Sequence, residues 1–157
     1  MNVLIKSTLA VLAGLIIAQP GLADEKEKFP KGMKCFIMKK RTIKNTKYAI
    51  DYKDAKLYLC CKSCVKRMTK TPDKYEAKAN HQLVQTGQFE QKTCPISGDA
   101  VTANSPKLEI GGVNVRFSSD SHKAEVAKLE DGKQIDKVFG KDGFKKGGFV
   151  LIEKKDS

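Results

Sequence analysis

Residues 57–68 read LYLCCKSCVKRM, placing Cys60, Cys61 and Cys64 within five positions, between an apolar run and a basic stretch of helical character. Thiols at this spacing have three chemistries open to them: a disulfide framework, a redox pair or a metal site. Cys35 and Cys94 bring the total to five. An odd count leaves at least one thiol outside any intramolecular pairing scheme, which argues against a scaffold held by disulfides alone. Cys60 and Cys61 are adjacent, and neighbouring residues rarely reach disulfide geometry.

The metal reading follows from placement. Cys60 ends a predicted strand, Cys64 lies one helical turn on, and Cys35 comes from a turn far upstream. A helix N-terminus lowers thiol pKa, and thiolate is the form that binds metal. Soft sulfur donors favour Zn2+ or Cu(I), so Cys35, Cys60 and Cys64 are the expected ligands, with Cys61 as a fourth ligand or a core residue. Cys94 and His122 form a weaker second pair, too few for a closed zinc site. Two alternatives stay open. The CKSC of residues 61–64 is a C-x-x-C suited to thiol–disulfide exchange by Cys61 and Cys64, and the cysteines of a structural interaction module would simply be oxidised. No enzyme is expected: His81 and His122 are the only histidines, and no triad or paired-carboxylate arrangement stands out. His81 is read as a solvated histidine in a linker. Met33 and Met38, which flank Cys35, are read as core gap fillers, as methionine commonly is. Tyr48, Tyr52, Tyr58, Tyr75 and Phe117 are assigned to the core.

The elements that must position these residues recur. DYKDAKLYLCCKSC (51–64) lies over EIGGVNVRFSSDSH (109–122) without a gap, pairing Cys64 with His122. KCFIMKK (34–40) lies over TCPISGD (93–99), one residue out of step with the first pairing. KYAIDY and AKLYLC alternate apolar and polar residues around Lys53-Asp54, and Gly111-Gly112 takes the corresponding turn. Cys61, Cys64, Val65 and Met68 then follow helical spacing. Thr71-Pro72 reads as the start of a helix PDKYEAKANHQLV, and Ser119 or Asp120 caps SHKAEVAKLED, with Gly132 at its end. The expected fold is α+β: two small tandem units, each a cysteine knuckle plus a β-hairpin followed by a helix (ββα, zinc-ribbon- or treble-clef-like). The boundaries are residues 31–82 for unit one and 90–140 for a degenerate unit two, with 141–157 a C-terminal strand and tail that pairs with a hairpin edge. Units this small rarely fold without a metal, disulfides or a partner.

The C-x24-C-x3-C pattern, with PDKY after the helix, resembles the TRASH/YHS-type domains. It is closer still to small exported proteins carrying tandem copies of the form CPV(M/T)G…YFCCxxCxxxFxxxPEKY. The matching parts are CFIM, DYKDAKLYLCCKSC, TPDKY and QKTCPISGDA, over residues 33–78 and, more weakly, 92–130. The resemblance implies heavy-metal binding through Cys35, Cys60 and Cys64, in sensing, trafficking or resistance. Unit one has CFIM where the family has Cys-Pro, and unit two has Ser118, Ser119 and His122 where the three cysteines would stand.

Compartment and charge complete the reading. Residues 1–23 have the form of a signal peptide, with Lys6 as n-region, Leu9–Ala18 as apolar core and Gly21-Leu22-Ala23 before the cleavage point. The chain is therefore expected to be exported, periplasmic or secreted, with no transmembrane segment after cleavage. Its formal net charge is +12. Only three arginines and no tryptophan accompany the lysines, which run along the whole length. That is a solvated, lysine-coated surface rather than a nucleic-acid face. The expected partners are a metal ion and a metal efflux or trafficking protein of the envelope.

Overall fold

The computed structural model describes residues 32–153; the signal peptide expected at 1–23 and the last four residues lie outside the described residues. Helix and strand are mixed along the chain, in keeping with the α+β expectation. Strands β1 (Ala49–Tyr52) and β2 (Ala55–Tyr58) form an antiparallel hairpin in the register Ile50↔Leu57 and Tyr52↔Ala55. Lys53 and Asp54 both take positive φ, 50° and 59°, the geometry that matches hairpin twist in a two-residue loop. Helix α1 (Lys62–Lys70) follows, with Cys61 as N-cap and Arg67 and Lys70 at the C-terminal end, where cations suit the helix dipole.

A 3-10 turn (Asp73–Tyr75) leads into α2 (Glu76–Gln85). Thr71 closes α1 rather than capping this helix: its hydroxyl donates to the Arg67 carbonyl at 3.1 Å. His81 lies inside α2 and is buried, not solvated in a linker. After β3 (Phe89–Glu90), strands β4 (Lys107–Ile110) and β5 (Val113–Arg116) make a second hairpin of the same register type, turning at Gly111-Gly112. Helix α3 (Asp120–Ala127) begins at the Ser119 cap, whose hydroxyl accepts the His122 N–H at 3.3 Å. Gly132 is not a helix terminus but the second residue of α4 (Asp131–Phe139). Helix α5 (Lys141–Lys146) follows directly. Strand β6 (Val150–Leu151) pairs with β3, not with either hairpin. Among the described residues, no helix is long and apolar enough to cross a membrane.

One hydrophobic core joins all of this. Leu57, Leu59, Cys64 and Met68 from the first hairpin and α1 belong to the same buried cluster as Val115, Phe117, Val138 and Phe139. Helix α2 is the shared element, packing on β2, β3, β5, α4 and α5. Three glutamines complete the hairpin edges. Gln82 Oε1 accepts the Tyr58 N–H at 2.8 Å while its Nε2 donates to the Tyr58 carbonyl at 2.9 Å. Gln88 does the same for Lys56, and Gln91 for Arg116. A primary amide carries a donor and an acceptor side by side, so it substitutes for a missing neighbouring strand. Tyr58 and Phe117 are buried, and Tyr48, Tyr52 and Tyr75 pack partly buried on the core.

Candidate metal centre

Cys35 sits in a tight loop pinned at its base. Lys34 bridges Thr42, and the Cys35 N–H donates to the Arg41 carbonyl at 2.9 Å. Strand β2 ends at Tyr58; Leu59 is buried, and Cys60 and Cys61 turn the chain into α1. The carbonyl of Cys61 accepts the Cys64 N–H at 3.0 Å, which fixes Cys64 in the first turn. Two distant segments thereby converge: the sulfurs of Cys35, Cys60 and Cys64 all lie within 4.8 Å of one another. Cys35 and Cys64 are buried and Cys60 is half-buried.

The spacing fits a shared ion. With metal–sulfur bonds of about 2.3 Å, two thiolates on one tetrahedral or trigonal ion lie roughly 3.7–4.0 Å apart. Cys60 and Cys64 are separated by 3.7 Å. Cys61 is half-buried, 3.8 Å from Cys60 and 3.5 Å from Cys64, though not a member of the mutually close set. Three thiol groups could hold a metal ion here, whose identity the donor set narrows to the soft or borderline class. Cys60 also opens onto a hollow of about 550 Å³ that Arg41, Lys44 and Lys47 line.

The sulfurs differ electrostatically. Burial raises the Cys35 thiol, but the backbone N–H groups of Met38, Cys60 and Ile37 outweigh it and bring the pKa below the usual cysteine value. Cys60 is pushed up to about 11, first by burial and then by its contact with Cys35. Cys64 is raised further, by burial and by the Cys61 and Cys60 thiols around it. Cys61 is lowered by the backbone N–H and thiol of Cys64. Crowded sulfurs of this kind cannot all ionise without a compensating cation.

The second pair also meets. Cys94 Sγ lies 3.8 Å from His122 Nδ1, and Ser118 Oγ lies 3.0 Å from the same nitrogen. Ser97 Oγ is 3.1 Å from Ser118 Oγ. Cys94 is fully buried; burial raises its thiol, yet the N–H groups of Ser118, Ser97 and Ile96 lower it to about 6. Met33 is buried, and its sulfur accepts from Gln82 Nε2 at 3.3 Å, a packing role. The polar groups that sequence reading missed are Ser118, His81 and the edge-capping glutamines. Of these, only Ser118 carried a signal, its alignment with Cys60. No family model, curated protein or solved structure matches the chain, so its own geometry carries the functional reading.

Proposed function

We propose that the chain is an exported protein that binds a soft metal ion, Zn2+ or Cu(I), at Cys35, Cys60 and Cys64. Its role is metal sensing, trafficking or sequestration, with a metal efflux or trafficking protein of the envelope as partner. On this reading the chain is a tandem TRASH/YHS-type protein whose first copy carries the site and whose second copy has diverged. The observation that carries the proposal is the convergence of three sulfurs from two distant segments to within 4.8 Å. The test is metal analysis of anaerobically purified protein. One Zn2+ or Cu(I) per chain is expected, lost in Cys60→Ser and in Cys64→Ser. A Cys64→Ser protein that binds as tightly as wild type would rule out this ligand set.

A second reading rests on the 3.5 Å separation of Cys61 and Cys64. Two thiols this close, one of them partly exposed, suit thiol–disulfide exchange with Cys61 as the attacking sulfur. Insulin reduction separates the two. The metal reading expects no turnover beyond a dithiol control, and turnover abolished by Cys61→Ser would promote the redox reading.

A further inference from the structure

The corner around Cys94 is built like the corner around Cys35, with a loop one residue shorter and a different set of donors. Thr93 bridges Ala100 as Lys34 bridges Thr42, and the Cys94 N–H donates to the Asp99 carbonyl at 2.7 Å as that of Cys35 does to Arg41. Backbone N–H groups two and three residues on act on each sulfur, those of Ile37 and Met38 at Cys35 and those of Ile96 and Ser97 at Cys94. A third comes from across the corner, from Cys60 in the first case and from Ser118 in the second. Beyond the hairpins, Cys61 and Ser119 are both N-caps with nearly the same extended backbone, φ −168° and −150°, ψ 162° and 159°. Cys64 and His122 are each the third residue beyond their cap. Ser118 and His122 therefore stand where Cys60 and Cys64 stand.

The side chains have changed, but they still converge. His122 Nδ1 is 3.8 Å from Cys94 Sγ and 3.0 Å from Ser118 Oγ. With bonds of about 2.3 Å to sulfur and 2.0–2.1 Å to imidazole nitrogen, two such donors on one ion at tetrahedral to trigonal angles lie roughly 3.5–3.8 Å apart. The pair already has that separation. Cys94 is buried while Ser118 and His122 are half-buried, so solvent can reach the corner and supply further ligands.

We propose that Cys94 Sγ, His122 Nδ1 and Ser118 Oγ form a second metal site, completed by water, for a borderline divalent cation of the Zn2+ type. One thiolate, one imidazole and one oxygen make a harder donor set than three thiolates, so the site disfavours Cu(I) relative to the Cys35 corner. On binding, Cys94 coordinates as the thiolate, and any proton still on the sulfur leaves to solvent. His122 offers the Nδ1 lone pair to the ion in the tautomer that carries its proton on Nε2, and the Ser118 hydroxyl oxygen turns to the metal. The chain then carries two sites of graded softness. This second site stands or falls independently of the first.

The experiment uses the full chain, reduced and anaerobic, with Co2+ as the probe because thiolate-bound Co2+ absorbs in the near ultraviolet. Protein first given one equivalent of Cu(I) should bind one further equivalent of Co2+, with the intensity of a single thiolate. That step should vanish in Cys94→Ser and persist in Cys60→Ser. In His122→Ala the Co2+ affinity should fall by more than the roughly 10–100-fold that loss of an outer hydrogen-bond partner costs a metal site. Circular dichroism identifies any variant that does not fold. Should Cys94→Ser be one, folded His122→Ala decides alone, and unchanged Co2+ affinity there overturns the proposal. So does a wild-type protein with no Co2+ step, or a step that survives both substitutions. Failure of the first site shows separately, as Cu(I) binding that is absent or indifferent to Cys60 and Cys64.

Discussion

At Cys35 the loop supplies N–H groups that favour thiolate, whereas Cys60 and Cys64 are held protonated by burial and by the sulfurs beside them. Proton loss from the cluster is therefore easier at Cys35 than at Cys60 or Cys64, and an arriving cation must displace protons from the latter two. His81 poses the opposite problem. Its Nε2 lies 3.0 Å from the Ile110 carbonyl and its ring meets Phe139 edge-on at 4.9 Å. Burial lowers its pKa below the ordinary 6.5, and the carbonyls of Ile110 and Gly111 oppose that only in part. The folded state thus binds the proton less well than the unfolded chain does. Stability from this residue is fully present above pH 6.5 and is lost as pH falls through the folded-state value. We expect His81→Gln, which keeps an N–H donor but does not titrate, to lose less stability than wild type between pH 8 and pH 5. Paired denaturant melts at the two pH values test this. Equal losses in the two proteins would show that His81 is not desolvated. Its type and its position near a presumed linker gave no sign of burial, which comes from a hairpin turn 29 residues away.

Among the elements, the two hairpins and the helices after them were legible because alternation, turn residues and caps are local. The packing of α2 on the second hairpin was not. At Gly111 the chain takes φ +58°, and a Cβ there would lie 2.7 Å from His81 Nε2. Glycine is needed twice over, for the left-handed backbone and for the close approach. Gln85 Nε2 adds a hydrogen bond to the Gly111 carbonyl at 3.3 Å. Gly111→Ala should cost about 1–3 kcal/mol, the usual range for a residue forced into a disfavoured backbone region. Gly132→Ala, which meets nothing within 4 Å inside α4, should be neutral or stabilising. Chemical denaturation of both variants checks the contrast, and equal effects would mean that the turn does not rest on α2. Helices α4 and α5 escaped the sequence reading for a related reason. Their chain, DGKQIDKVFGKDGFKK, is polar and glycine-broken, and it becomes helical by laying Val138, Phe139 and Phe144 into a core that the rest of the molecule supplies. The three sulfurs of the candidate site were readable from spacing, whereas Ser118 gains its meaning only once the hairpin brings it to Cys94.

For the whole molecule, the sequence suggested that a unit of some 50 residues would depend on metal to fold, in line with the size below which domains need such help. The continuous core changes that expectation for the intact chain. Ala79 and Leu83 of α2 are fully buried, as are Val138 and Phe139 of α4. Each large apolar side chain of this kind contributes about 1.5–3 kcal/mol when buried. None of these four is a ligand or a near neighbour in sequence of one, so their packing does not require the ion. The Cys35 loop is different: the Lys34↔Thr42 bridge and the backbone hydrogen bonds of residues 33–43 close the loop on itself, and it meets the rest through side chains, among them Met33, Phe36, Ile43 and the sulfurs. Chelation of the full chain should therefore loosen residues 33–43 and 59–65 while leaving α2 and α4 protected. Amide hydrogen exchange with and without chelator reads this directly. Protection should fall at Cys35, Ile43 and Cys64 and stay unchanged at Leu83 and Val138. Loss of protection at all five would mean that metal binding and global folding are one transition. A fragment of residues 31–82 lacks Leu83 and every partner of α2 in the second half, so it should show no protection at Ala79 in the absence of metal. If that fragment alone protects Ala79 as the full chain does, the shared core is not what stabilises α2.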